Sequence, residues 1–138
     1  MNRESRRAVK RELAESQPVT EEVIAAAMEV HEELGPGLPQ EAYEEALAHE
    51  LRLRGLKVER QKPFSFVYGG EAIDLDLRAD LFVEDSLIVA VLAADRLEEA
   101  DEAKLRTCLR AAGRRVALLF NFNIVHLAEG IRRITDDF

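Results

Sequence analysis

Residues 71–83, EAIDLDLRADLFV, set polar side chains on alternate positions: Asp74, Asp76, Arg78 and Asp80. In an extended strand such positions share one face. Several carboxylates on one face are the oxygen-rich surroundings that a hard divalent cation such as Mg²⁺ prefers. A cation held there could polarise a phosphate and make hydroxide from water. Acids that alternate along a strand are also what a wet outer face looks like. Asp74 and Asp76 are therefore expected on a solvated face. Asp80 is expected to be a structural acid partnered by Arg78, Lys104 or a backbone amide, because a buried acid needs a partner. The run that follows, LIVAVLAAD at 87–95, has eight apolar residues before Asp95 and offers such a site no ligand until its end.

Other reactive side chains are scattered. His31 lies on the apolar stripe of the first helix without a second His or Cys at ligand spacing, so a hydrogen-bonded, partly buried histidine is expected. His49 and His126 are equally isolated. Cys108 falls on the inner stripe of a later helix and reads as a small hydrophobe, not a nucleophile. Gly35-Pro36-Gly37 lacks the preceding strand that a phosphate-binding loop requires. The chain has no tryptophan, and its few aromatics have no basic residues interleaved, which argues against a stacking platform for single-stranded nucleic acid.

The elements that must position these residues follow from periodicity. Thr20 is placed to cap a helix whose stripe is Val23, Ile24, Ala27, Met28, His31 and Leu34, with Gln17-Pro18-Val19 separating it from the head. Gly35-Pro36-Gly37 ends that helix, and Pro39 suits the first turn of a second. The second helix turns Tyr43, Ala46, Leu47 and Leu51 inward and Glu44, Glu45, Arg52 and Arg54 outward. Gly55 closes it. Period-two strands follow, with Pro63 marking an edge and Gly69-Gly70 a hairpin. In 71–83, Ile73, Leu75, Leu77, Ala79 and Leu81 share the inner face. Glu84-Asp85-Ser86 turns the chain into 87–94, whose two apolar faces predict a central strand covered on both sides. A helix over 96–112 buries Leu97, Leu105, Cys108, Leu109 and Ala112 and ends at Gly113. RRVALLFNF forms another buried strand. The tail from 123 to 138 carries no decisive pattern. The order predicts an α/β or α+β fold with a mixed sheet and two N-terminal helices.

The chain has 138 residues and a formal net charge of −8, which fits a single domain over 17–138. Residues 1–11 carry five basic side chains (Arg3, Arg6, Arg7, Lys10 and Arg11) against one acid, Glu4. Residues 1–11 are thus at +4 and the rest of the chain at −12, and residues 1–16 are expected to form a basic extension, flexible or helical, ahead of an acidic body. An acidic body is a poor match to phosphate backbones, which argues against nucleic acid as a partner. One cysteine excludes an intrachain disulfide and fits a reducing compartment. No segment has signal-peptide character, and no apolar run nears the roughly 20 residues that span a bilayer. A cytoplasmic protein with no membrane association is expected.

Four segments together, EVHEELGPGLPQEAYEEAL, LRLRGLKVERQ, LRADLFVED and LLFNF…GIRRI, resemble the GxxExxY family of the PD-(D/E)XK nuclease-like superfamily. The likeness runs from about Val23 to Ile134. It implies a core sheet flanked by helices. It also implies a site in which a strand Asp and a Glu on the next strand hold a divalent metal. A Lys two residues after that Glu serves the attacking water, a Glu on an early helix adds to the metal, and a Gln on a later helix supports it.

On that pattern Asp80 is the strand Asp, and the other positions have changed. The Glu position is Ala90 and the Lys position is Leu92. In the Gly-x-x-Glu-x-x-Tyr motif, Gly37 and Tyr43 are present but the Glu position is Gln40. The helix Gln falls at Lys104. Glu41 does not replace Gln40, because one residue along a helix is a rotation of about 100°. The resemblance therefore implies a degenerate site with no catalytic residue, no metal and no cofactor, Asp80 being the one retained ligand candidate. Lys104 either takes the vacated metal position and neutralises Asp80 or is a surface lysine on an amphipathic helix; both expectations stand on the sequence. The expected function is that of a catalytically inactive nuclease-like domain working through protein contacts, with a second copy of itself or another protein. The competing expectation is a Mg²⁺-dependent nuclease with ligands relocated around Asp80.

Overall fold

The computed structural model describes residues 3–136, with side chains described from Pro18 onward. The basic side chains of residues 1–16 lie outside the described residues. The first helix, α1, spans Arg3–Leu34 and passes through Pro18. The expected break at 17–19 is thus corrected, and so is Thr20 as a cap: Thr20 lies inside the helix and is buried. An internal proline costs about 3 kcal/mol. Here the flanking sequence is rich in Ala, Glu and Arg, which are strong helix formers.

Helix α2, Gln40–Leu53, follows a turn that is tied by Tyr43. The Tyr43 hydroxyl donates to the Gly35 carbonyl and accepts from the Leu38 N–H at 3.1 Å. Its ring stacks on Phe122 with centroids 4.7 Å apart. Strands β1 (Val58–Tyr68), β2 (Glu71–Val83) and β3 (Leu87–Leu92) come next, then α3 (Glu99–Ala112), β4 (Val116–Asn121), a 3₁₀ turn at Leu127–Gly130, and β5 (Ile131–Thr135). The sheet order is β1-β2-β3-β4-β5. Its pairs are antiparallel except β3–β4, so the sheet is mixed, as expected.

Helices α1 and α2 cover one face and α3 covers the other. Leu87, Val89 and Val91 join the core under α1 and α2, while Ile88, Ala90 and Leu92 turn toward α3. Burial on both faces explains why β3 carries no polar residue. Ala90 and Leu92 are half-buried, because they border an open cleft. On α3 a capping box between Glu98 and Asp101 holds the N-terminus, and Gly113 at φ 67° closes the other end. Both hairpin turns, Gly69-Gly70 and Glu84-Asp85, take positive φ at both central residues, the twist that tight hairpins favour.

The single inner face expected over 73–81 does not hold. Leu77 and Ala79 face α3, whereas Leu81 and Val83 face α1 and α2. The switch occurs at Asp80, level with Gln61 on β1, whose φ is 52°. A further irregularity, with Asp76 at φ 56°, leaves Ile73 and Leu75 exposed on a two-stranded ribbon. The tail supplies the fifth strand. Gly130 makes it possible: a Cβ there would lie 2.5 Å from the Asn121 carbonyl oxygen.

Candidate functional site

Asp80 sits where β2 leaves its ribbon and enters the sheet, half-buried beside Ala90. Its Oδ2 accepts the Val91 N–H at 2.8 Å, and its Oδ1 accepts from the Gln61 carboxamide at 3.2 Å. The expected backbone partner is found. Arg78 instead pairs with exposed Asp76 at 3.2 Å. Lys104 acts on Asp80 only through its charge, as the smallest of the influences on that carboxyl. Burial raises the Asp80 carboxyl above its ordinary value, and the Glu44 charge adds to this; the Val91 N–H, the Gln61 amide and Lys104 oppose it.

A cavity of ≈ 190 Å³ opens beside Asp80. Gln40, Asp80, Ala90, Leu92 and Lys104 all line it, so residues from α2, β2, β3 and α3 converge on one place. Leu77, Leu105, Leu119 and Cys108 give it an apolar floor, and Arg78 and Asp101 add to its rim. Asp74 and Asp76 do not reach it; they stay exposed on the ribbon, as expected. Burial, then the nearby Asp80 charge, pushes the Cys108 thiol up to about 11, so it is a packing residue and not a thiolate. His31 is buried, and its Nε2 donates to the Ile124 carbonyl at 2.7 Å. Glu41 is absent from the cavity and lines a neighbouring groove with Gln40, Glu44, Arg60 and Gln61.

Two residues of the site, Glu44 and Gln61, carry no functional expectation from the sequence. Glu44, expected outward, is buried at 7 % exposure. It lies one turn after Gln40, and that spacing puts the two on one helix face. Glu44 Oε1 accepts from Gln61 Nε2 at 2.6 Å, and Oε2 pairs with Arg60 at 3.2 Å. Gln61 thus donates to both Glu44 and Asp80. No periodicity could have announced it, because its position depends on a left-handed backbone in the middle of a strand.

A divalent cation in this cleft would meet the carboxylate of Asp80 beside Ala90 and Leu92, with Asp101 on the rim already accepting the Glu98 N–H at 2.9 Å as part of the α3 capping box. Glu44 is the second carboxylate within reach of the network. Its two oxygens already accept from an amide and a guanidinium, and both Asp80 oxygens accept N–H bonds. Among the described residues no three His, Cys, Asp or Glu side chains group as metal ligands do. Mg²⁺ demands near-octahedral oxygen coordination, although it keeps several waters. The donor set here does not fit a catalytic Mg²⁺.

A family model of the PD-(D/E)XK nuclease superfamily matches residues 17–134. No curated protein and no solved structure matches the chain significantly.

Proposed function

Because the chain belongs to the PD-(D/E)XK nuclease superfamily, we propose that it is a nuclease-like domain that no longer cleaves nucleic acid and works through protein contacts. Its finer kinship, on the four segments quoted above, is with GxxExxY proteins whose catalytic motif has degenerated. The observation that carries the reading is the pair Ala90 and Leu92 facing the cavity beside Asp80. A methyl and an isobutyl group can neither ligate a cation nor move a proton, and metal-assisted hydrolysis needs both functions. Gln40 and Lys104 on the same wall extend the change to the two helix positions.

Glu44 favours a second reading, a nuclease with relocated ligands, because it is a carboxylate that the fold brings to the Asp80 network. Its oxygens would first have to leave Arg60 and Gln61. The two readings separate in one assay. Purified protein is incubated with single- and double-stranded DNA and RNA in Mg²⁺ and in Mn²⁺. Intact substrate is expected throughout; cleavage that co-purifies with the protein and is lost in Asp80→Ala contradicts the proposal.

Contacts with other copies are the simplest partner class. The head is basic and the body acidic, so a head of one copy and a body of another attract, an attraction that salt screens. Light scattering should show association at low salt that weakens as salt rises. A monomer at every salt and protein concentration excludes self-assembly.

A further inference from the structure

We propose that the Gln61 carboxamide does the work of a cation here, tying Glu44 on α2 to Asp80 on β2 without metal. This deepens the reading of an inactive site and rests on it.

Three observations carry the assignment. First, both partners of Gln61 are carboxylate oxygens, which can only accept, so the amide nitrogen must face them. One NH₂ group has two hydrogens, and it meets two acids, at 2.6 Å from Glu44 and 3.2 Å from Asp80. Second, each acid turns its other oxygen to a further donor, Arg60 at 3.2 Å for Glu44 and the Val91 N–H at 2.8 Å for Asp80. The negative charge is thus met by N–H groups where a metal site would meet it with the ion.

Third, the backbone is strained at the residue that carries the amide. Gln61 has φ 52° in mid-strand, a conformation that L residues adopt at a cost. Glu84 and Asp85, also at positive φ, lie in a hairpin turn that calls for it. Gln61 has no turn to serve. The β1–β2 register is the same on either side of it, Arg60↔Leu81 and Lys62↔Ala79, so the kink corrects no slip. The kink lies level with the change of faces at Asp80, and at that point the side chain is aimed at two acids. Strain of this kind persists where the surroundings over-determine it.

The test uses the full chain, with Mn²⁺ as the probe and the melting temperature as the readout. Wild type should melt at the same temperature in EDTA and in Mn²⁺. Gln61→Glu sets a third carboxylate between the two and should lower Tm in EDTA by roughly 5 °C or more. Mn²⁺ should then restore it, as a ligand that binds only the folded state must. Gln61→Gly relieves the backbone strain and removes the amide; it should also melt lower than wild type. A Gln61→Gly protein as stable as wild type overturns the role given to the amide, even where Gln61→Glu fails to fold. A Gln61→Glu protein that folds but gains nothing from Mn²⁺ overturns the cation analogy. Wild type stabilised by Mn²⁺ and losing that response in Asp80→Ala overturns the metal-free reading itself.

Discussion

Asp80 keeps its place by hydrogen bonding, against electrostatics. Burial and the Glu44 charge both raise its carboxyl, and the Val91 N–H and Gln61 hold it in position. Removing the side chain in Asp80→Ala leaves the Val91 N–H without that acceptor, a loss of about 1–3 kcal/mol. The pH dependence has a definite sign. A carboxyl raised in the folded state binds its proton more tightly there than in the unfolded chain. Its contribution therefore favours folding at low pH and is lost as pH rises from the ordinary carboxylate value through the raised one. The stability deficit of Asp80→Ala should widen as pH falls from neutrality through that window. Urea denaturation across pH measures it, and a deficit that narrows on acidification contradicts the account. Much of this scale was legible in the sequence. Ala90, Leu92, Gln40 and Lys104 could be placed on one site by spacing and resemblance, and they do meet at one cavity. Glu44 was misplaced because a charged residue beside an apolar stripe normally stays in water, and only contact with Arg60 and Gln61 makes its burial tolerable.

Among the elements, the strands with both faces covered and the capped helix were the easiest to read. β3 is apolar throughout, and β4 is apolar up to its last residue, Asn121, because α1 and α2 lie on one side and α3 on the other. Gly113 ends α3 as its position predicts. The elements that resisted were those decided by tertiary contact. Pro18 does not end α1, and β2 changes faces at Asp80, which a strict period of two cannot foresee. β5 has only five residues, and its buried anchor is Ile134 beside exposed Arg132 and Arg133. Its pairing with β4 over Val116↔Thr135 to Phe120↔Ile131 defines it. Gly130 admits that strand, so Gly130→Ala should force the chain away from the Asn121 carbonyl. A loss of about 1–3 kcal/mol is expected, the usual scale of overpacking. Hydrogen exchange should show amides of β5 opening before those of β3; unchanged exchange and stability would show that the loop yields freely.

At the scale of the whole molecule, the superfamily's sheet and helices remain and converge on a cavity, while the groups facing that cavity do not compose a metal centre. Among the described residues no helix is long and apolar enough to cross a membrane. The acidic body sets the field that any partner meets, and its contacts respond to salt. What is proposed for the molecule as a whole is a cleft at Asp80 that has no use for a divalent cation. Titration of the full chain with Mn²⁺, followed by the electron paramagnetic resonance of the free ion, tests it most directly. The expected result is a free-ion signal that rises in proportion to added Mn²⁺ from the first addition, alike in wild type and Asp80→Ala. One ion taken up per chain by wild type, and released by Asp80→Ala, would contradict it.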